Sequence, residues 1–176
     1  MKKMVLLYTG KGKGKTTAAI GLCIRALGWG KKVCMIQFLK SPEFESGEIK
    51  LLKKLNVTLY QTGLGYSWTK TPQQQIDCIQ KAWELCKKVL LCEKYDMIIL
   101  DEIVNVFCMK TVCVSDFLTE ENLIEVLQNT KKTMDIVLTG RNASTKLIEY
   151  ADLVTEMKNI KHYYKKGIKA IKGLEY

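Results

Sequence analysis

A single doubly wound α/β domain, with a mostly parallel sheet carrying helices on both faces, is the fold this sequence predicts. Three observations lead to it. Apolar runs suited to buried strands alternate with amphipathic stretches at helical spacing from end to end of the 176 residues. A loop rich in glycine and lysine joins the first such strand to the first helix, and a strand-like run in mid-chain ends in two carboxylates, Asp101 and Glu102. In open α/β sheets ligands gather at the carboxyl ends of the strands, so both features belong at one end of the sheet.

The elements follow in order. Met4, Val5, Leu6, Leu7 and Tyr8 form the first strand. Met1, Lys2 and Lys3 give this run a charged flank, but it is too short for a signal peptide and runs straight into the loop. Residues 15–28 read as a helix stopped by Gly28, Trp29 and Gly30. Residues 33–39 are near-continuously apolar, as suits a strand buried on both faces, and close a strand-helix-strand crossover. A short helix over 47–55 leads to a strand at 57–60, and a loop holding Gly63, Gly65, Tyr66 and Trp68 follows. From Pro72 to about Lys94 a long amphipathic helix carries Ile76, Ile79, Trp83, Cys86 and Leu90, with Trp83 a core residue. Residues 96–102 are a central strand, and a helical stretch extends to about Met109. Thr119 caps a helix through Leu127. Residues 135–141 form a strand with a functional tip, 143–150 a short helix and 153–157 a last strand. Residues 158–176 are a basic C-terminal tail lying over the sheet edge or the site. No repeat or linker divides the chain, which is expected to be one domain over 1–176.

Composition narrows the function. Seven cysteines, an odd number with no Cys-x-x-Cys pair, point to reduced thiols and a cytoplasmic protein. No apolar stretch approaches membrane-spanning length. The formal charge of +10 is spread along the chain with only two arginines, Arg25 and Arg141, and lacks the basic-aromatic interleave of single-strand binders. Nucleic acid is therefore not the expected partner; a polyanionic small molecule is.

The loop names that molecule's chemistry. Residues 9–17 read Thr-Gly-Lys-Gly-Lys-Gly-Lys-Thr-Thr. Glycines let backbone N–H groups turn inward, the helix start adds a positive dipole end, Lys15 supplies a mobile cation, and Thr16 or Thr17 supplies a hydroxyl to Mg²⁺. One spacing departs from the usual phosphate loop: Thr9 stands where the first glycine belongs, so the loop from Gly10 is one residue shorter. Asp101 and Glu102 complete the metal site, directly or through water. Arg141, after a Thr-Gly turn, is placed to clamp the far end of the phosphate chain. Two residues or groups carry open readings. Arg25 either reaches the ligand or lies solvated on the helix face; Tyr66 and Trp68 either line a flat apolar ligand or anchor their loop.

The loop at 9–17 and the segments at 33–40, Gly47-Glu48, Gly65-Tyr66-Ser67-Trp68, 99–102, 138–141 and 151–157, with Gly-Leu-Glu-Tyr at 173–176, together resemble the BtuR-type corrinoid adenosyltransferases. The resemblance covers nearly the whole chain. It implies a RecA-like P-loop fold that holds ATP in reversed orientation, so that Co(I) of a corrinoid attacks the 5′ carbon and inorganic triphosphate leaves. It implies ATP contacts from Gly10, Lys11, Gly12, Lys13, Gly14, Lys15, Thr16, Thr17, Arg25 and Arg141. Lys15, Glu102 and Arg141 are its catalytic groups, and Thr16 with Glu102 its Mg²⁺ ligands. Tyr66 and Trp68 match an aromatic pair beside the corrin, with Tyr66 where the pattern leads one to expect Phe. The resemblance further implies a homodimer supplied with Co(I) by a reductase or flavodoxin-like donor. In many members an N-terminal segment closes over the corrinoid; here closure is expected from elsewhere, with the basic tail as candidate. The alternative is a RecA-like ATP-hydrolysing protein that binds nucleic acid, in which Gln37 would position the attacking water.

Overall fold

The computed structural model describes residues 3–43, 45–65, 70–130 and 132–176. Six strands, β1 (Val5–Thr9), β2 (Val33–Gln37), β3 (Thr58–Gln61), β4 (Met97–Asp101), β5 (Asp135–Thr139) and β6 (Leu153–Glu156), form one sheet in the order β3-β2-β4-β5-β1-β6. All five pairings are parallel, where the sequence predicted a mostly parallel sheet. Parallel strands need crossover connections, and these put helices on both faces.

Side-chain alternation along β4 shows how the layers form. Ile98 and Leu100 point into a cluster with Trp83 and Leu90 of α3 (Pro72–Leu91), Ile103 of α4 (Ile103–Phe107), Leu123 of α5 (Glu120–Gln128) and Leu147 of α6 (Thr145–Tyr150). Met97 and Ile99 point the other way, onto Ala19 and Cys23 of α1 (Lys15–Gly28) and Leu52 of α2 (Gly47–Lys54). A strand buried on both faces has no polar side to show, hence its continuous apolar run. Its first charged side chains, Asp101 and Glu102, come where the sheet ends. The arrangement is the expected doubly wound, RecA-like P-loop fold.

Capping sets several boundaries. Thr119 caps α5 as expected, its hydroxyl accepting from Asn122 N while the Asn122 side chain returns to the Thr119 N–H. Helix α3 has the same box between Thr71 and Gln74. It ends at Leu91, three residues short of the predicted Lys94, because the Cys92 N–H turns back to Val89 and Glu93 adopts φ +52°. Helix α6 starts at Thr145, two residues later than predicted, where the Ser144 hydroxyl accepts from Leu147 N. Among the described residues no helix is long and apolar enough to cross a membrane.

Candidate active site

The glycine loop is held by β6 as much as by β1. Met157, just past β6, donates its N–H to Thr9 O at 2.8 Å and accepts the Gly12 N–H at 2.6 Å. A Cβ on Gly10 would lie 2.5 Å from Met157 O, and one on Gly12 2.7 Å from it, so both positions require the smallest residue. Gly14 turns the chain into α1 with φ +112° and no side-chain cap, leaving the first N–H groups of the helix for an anion. Thr9, which displaces the expected first glycine, is the last residue of β1, and its hydroxyl accepts from Ala143 N at 3.1 Å. The loop proper therefore begins at Gly10. Lys15 lies back over it, donating to Gly10 O at 2.8 Å and Gly12 O at 2.6 Å. Burial, then the charge of Arg141, push its pKa down, against an opposite pull from Glu102.

Asp101, completely buried, is the hub beneath the loop. Its Oδ1 accepts from the hydroxyls of Thr16 and Thr139, each at 2.8 Å, and its Oδ2 from Gln37 Nε2 at 2.9 Å. Lys40 Nζ stands 3.6 Å from Oδ2 and 3.7 Å from Glu48 Oε1. Asp101 thus acts on the site through the Thr16 hydroxyl rather than facing it. Gln37 is correspondingly excluded from the role that the hydrolase alternative needs. It is wholly buried, with its Nε2 donating to Asp101 and its Oε1 accepting from Gln61, so it does not reach the cavity.

Glu102 does face the cavity. It occupies the N-cap position of α4 at φ +64°, but its side chain makes no capping bond. Its backbone N–H donates to Thr139 Oγ1 at 2.8 Å, so one threonine ties the ends of β4 and β5 together. Burial, then Asp101, raise the pKa of its carboxyl, opposed by Lys40, Arg141 and Lys15. Asn105 extends the seam, reaching Glu102 Oε1 at 3.3 Å and accepting from Arg141 N at 2.7 Å. A Cβ on Gly140 would lie 2.6 Å from that of Val104, which is why glycine precedes Arg141.

Lys15, Thr16, Lys40, Glu48, Glu102, Asn105, Thr139 and Arg141 surround one cavity of about 870 Å³, together with Lys11, Lys13, Thr17 and C-terminal residues including His162 and Glu175. Lys13 fastens the tail over the loop, donating to Leu174 O at 2.6 Å and Glu175 Oε2 at 2.8 Å. Lys15, Thr16, Glu102 and Arg141 come together as the sequence predicted; Arg25 does not join them. It is exposed in the last turn of α1 and outside the cavity lining. Nine residues after Thr16 is about two and a half helical turns, which turns it to the opposite face. Tyr66 and Trp68 lie outside the described residues. Sequence reasoning gave no role to Lys40, Glu48, Asn105, Thr139 or Glu175, although all but Asn105 stand in the segments that carry the family resemblance. Lys40 and Thr139 did carry a signal, as polar residues at or just beyond strand ends.

The family described as "ATP:corrinoid adenosyltransferase BtuR/CobO/CobP" matches residues 1–176. The corrinoid adenosyltransferase of Escherichia coli K12 is 32% identical over 174 residues, covering 98% of this chain and 85% of that protein. One from Sinorhizobium sp is 37% identical over 180 residues, covering 99% and 81%. CobA of Salmonella typhimurium is 32% identical over 98% of this chain and 85% of its own length. Among solved structures, the flagellar accessory protein FlaH from Methanocaldococcus jannaschii aligns at a TM-score of 0.57 and 15% identity, over 88% of this chain and 71% of that one. That last likeness speaks to the fold alone.

Proposed function

Because this chain belongs to the ATP:corrinoid adenosyltransferase BtuR/CobO/CobP family, and is an enzyme of that activity, we propose that the cavity between the glycine loop, β4, β5 and the tail is where adenosyl transfer occurs. The convergence of Lys15, Thr16, Glu102 and Arg141 on that one cavity is the observation that supports this placement. In this reading the loop, residues 10–17, lies along the triphosphate of ATP, with Lys15 released from Gly10 O and Gly12 O to phosphate oxygens. Arg141 meets the same chain of phosphates. The corrin lies against Tyr66 and Trp68. Co(I) gives its electron pair to the 5′ carbon, a cobalt–carbon bond forms, and the carbon–oxygen bond breaks to release inorganic triphosphate. Since Co(I) is itself the nucleophile, no general base is required, and the protein's work is placement and charge stabilisation.

Mg²⁺ fits the oxygen donors present. Thr16 gives its hydroxyl hydrogen to Asp101, leaving the oxygen's lone pairs available to a cation, and Glu102 is the adjacent carboxylate. A small hard cation takes one or two such protein oxygens and fills its shell with phosphate oxygens and water. When bound it neutralises phosphate charge. The proposal extends to a cytoplasmic homodimer acting as a single domain over residues 1–176, with 158–176 a tail at the site. A reductase or flavodoxin-like protein would supply the electrons that make Co(I).

The deciding experiment incubates the purified chain with ATP, Mg²⁺ and chemically reduced cobalamin, following Co(I) absorbance and identifying the phosphate product. Adenosylcobalamin with stoichiometric triphosphate is expected. Diphosphate plus phosphate, with Co(I) untouched, would return the site to ATP hydrolysis.

A further inference from the structure

We propose that Lys40 is a catalytic residue of the transfer, donating a hydrogen bond to the phosphate oxygen that departs from the 5′ carbon. The proposal rests on the reading of the cavity given above.

Lys40 lies three residues beyond β2 and lines the same cavity as Lys15, Thr16, Glu102 and Arg141. Its Nζ is held between two carboxylates, at 3.6 Å from Asp101 and 3.7 Å from Glu48. Both distances exceed hydrogen-bond length, so the ammonium is positioned by charge while its N–H donors are not spent on either oxygen. The loop lysines differ. Lys15 donates to two loop carbonyls, and Lys13 to Leu174 O and Glu175. Among the cations around Glu102, Lys40 acts on its carboxyl most strongly, ahead of Arg141 and Lys15.

A second observation ties Lys40 to the start of the segment that leads on to Tyr66 and Trp68. Gly63 donates its N–H to Lys40 O at 2.9 Å. A Cβ there would lie 2.2 Å from the Leu39 carbonyl carbon and 2.6 Å from Lys40 N. The segment that carries Tyr66 and Trp68 therefore starts from the Lys40 backbone, with Tyr66 three residues beyond Gly63. In that reading the reacting carbon lies between the phosphates and the cobalt, the junction to which Lys40 is assigned here.

The chemistry asks for a cation there. As Co(I) becomes Co(III), its electron pair forms the new bond to carbon, and the pair of the breaking carbon–oxygen bond stays on the triphosphate. No proton is transferred. Negative charge grows on the departing oxygen, and a fixed N–H donor aimed at it is worth more in the transition state than in the ground state.

The test assays Lys40→Met and Lys40→Arg in the full chain under single turnover, with ATP, Mg²⁺ and reduced cobalamin, alongside ATP Kd and thermal melting. Lys40→Met is expected to slow transfer by about 100- to 1000-fold while ATP Kd stays within about threefold. A rate within about threefold of wild type, or a loss confined to ATP Kd, overturns the proposal. Lys40 also faces buried Asp101, so if Lys40→Met does not fold, Lys40→Arg decides, because it keeps the charge. The probe is ATP in which sulfur replaces the bridging 5′ oxygen, since sulfur accepts a hydrogen bond poorly. A wild-type to Lys40→Arg rate ratio about tenfold smaller with this analogue than with ATP supports direct contact, and an unchanged ratio overturns it. Wild type separates the two levels of inference. If it forms no adenosylcobalamin, the reading of the cavity fails; if it does and the Lys40 variants match it, only the role of Lys40 fails.

Discussion

The Thr16 hydroxyl donates to Asp101 Oδ1 at 2.8 Å, joining the start of the first helix to the end of the fourth strand across the floor of the cavity. Asp101 fixes where that hydroxyl points and leaves its oxygen free to accept a cation. Thr16→Val keeps the side-chain shape and removes the oxygen. The Mg²⁺ concentration for half-maximal rate should rise, and kcat/KM for ATP should fall, by about 100-fold. Asp101→Asn, one step removed, should cost about 10- to 100-fold, and Thr16→Ser should restore most of the loss. Magnesium titrations of the transfer rate measure all three; a Thr16→Val enzyme with a normal magnesium requirement would show that the hydroxyl serves only the fold.

Glu102 sets a pH dependence of opposite sign for stability and for activity. Its carboxyl titrates above the ordinary 4.5, chiefly because it is buried and secondly because Asp101 is beside it. Between 4.5 and the raised value the folded protein therefore holds a proton that the unfolded chain has lost. The contribution of this group to stability declines as pH rises through that window. With Glu102 as the cation ligand proposed above, activity should rise through it, because only the carboxylate can bind a cation. The acidic limb of kcat/KM should accordingly lie above 4.5 in wild type, and Glu102→Gln should run on a lower plateau without that limb. An acidic limb that survives in Glu102→Gln would assign it to another group.

The parts of this site that are local in sequence are legible there, and the parts assembled by strand pairing are not. The glycine loop announces itself because its chemistry is consecutive backbone, and Asp101 and Glu102 because they end an apolar run. Thr139 reads as an ordinary β-branched strand residue; the β4–β5 register, with Leu100 opposite Leu138, brings its hydroxyl to Asp101. Lys40 and Glu48 belong to different elements and meet only because the chain beyond β2 and the start of α2 share the cavity rim. Arg25 shows the converse. A residue type suited to phosphate, on the helix that follows the loop, is turned away by the helical period.

Glycine positions give a paired test of how the loop is held. A methyl group on Gly12 would sit 2.7 Å from Met157 O and 2.8 Å from Lys158 C, both backbone atoms that cannot swing aside. Gly12→Ala should push the loop off the end of β6 and weaken ATP binding by about tenfold or more, since phosphate binding depends on N–H groups fixed in direction. Gly21 lies on the exposed side of α1, and a methyl group there would meet nothing within 4 Å. Gly21→Ala should stabilise the protein by about 0.5–1 kcal/mol and leave transfer unchanged. Denaturant melts and ATP titrations on both variants check the contrast. Equal effects would mean that the close approach of Met157 places no constraint on the loop.

Glu175 occupies Lys13, one of the cations proposed above to meet the triphosphate. Its Oε2 accepts from Lys13 Nζ at 2.8 Å, the neighbouring Leu174 carbonyl accepts from the same ammonium at 2.6 Å, and the Tyr163 hydroxyl holds Oε1. The tail thus closes over the loop by taking up one of the cations that a polyphosphate would use. Glu175→Gln removes the competing charge while leaving the Leu174 carbonyl in place. Inorganic triphosphate should then bind more tightly, by about two- to fivefold, the range set by one exposed ion pair. The gain should shrink as salt is raised, because these charges reach solvent. Tighter product binding should in turn slow steady-state turnover more than the first turnover. Calorimetric titration with triphosphate at two ionic strengths, set beside burst kinetics, reads both effects. Weaker triphosphate binding in Glu175→Gln would instead mean that the carboxylate holds Lys13 in place for the phosphates, and that the tail is a support for the loop rather than its competitor.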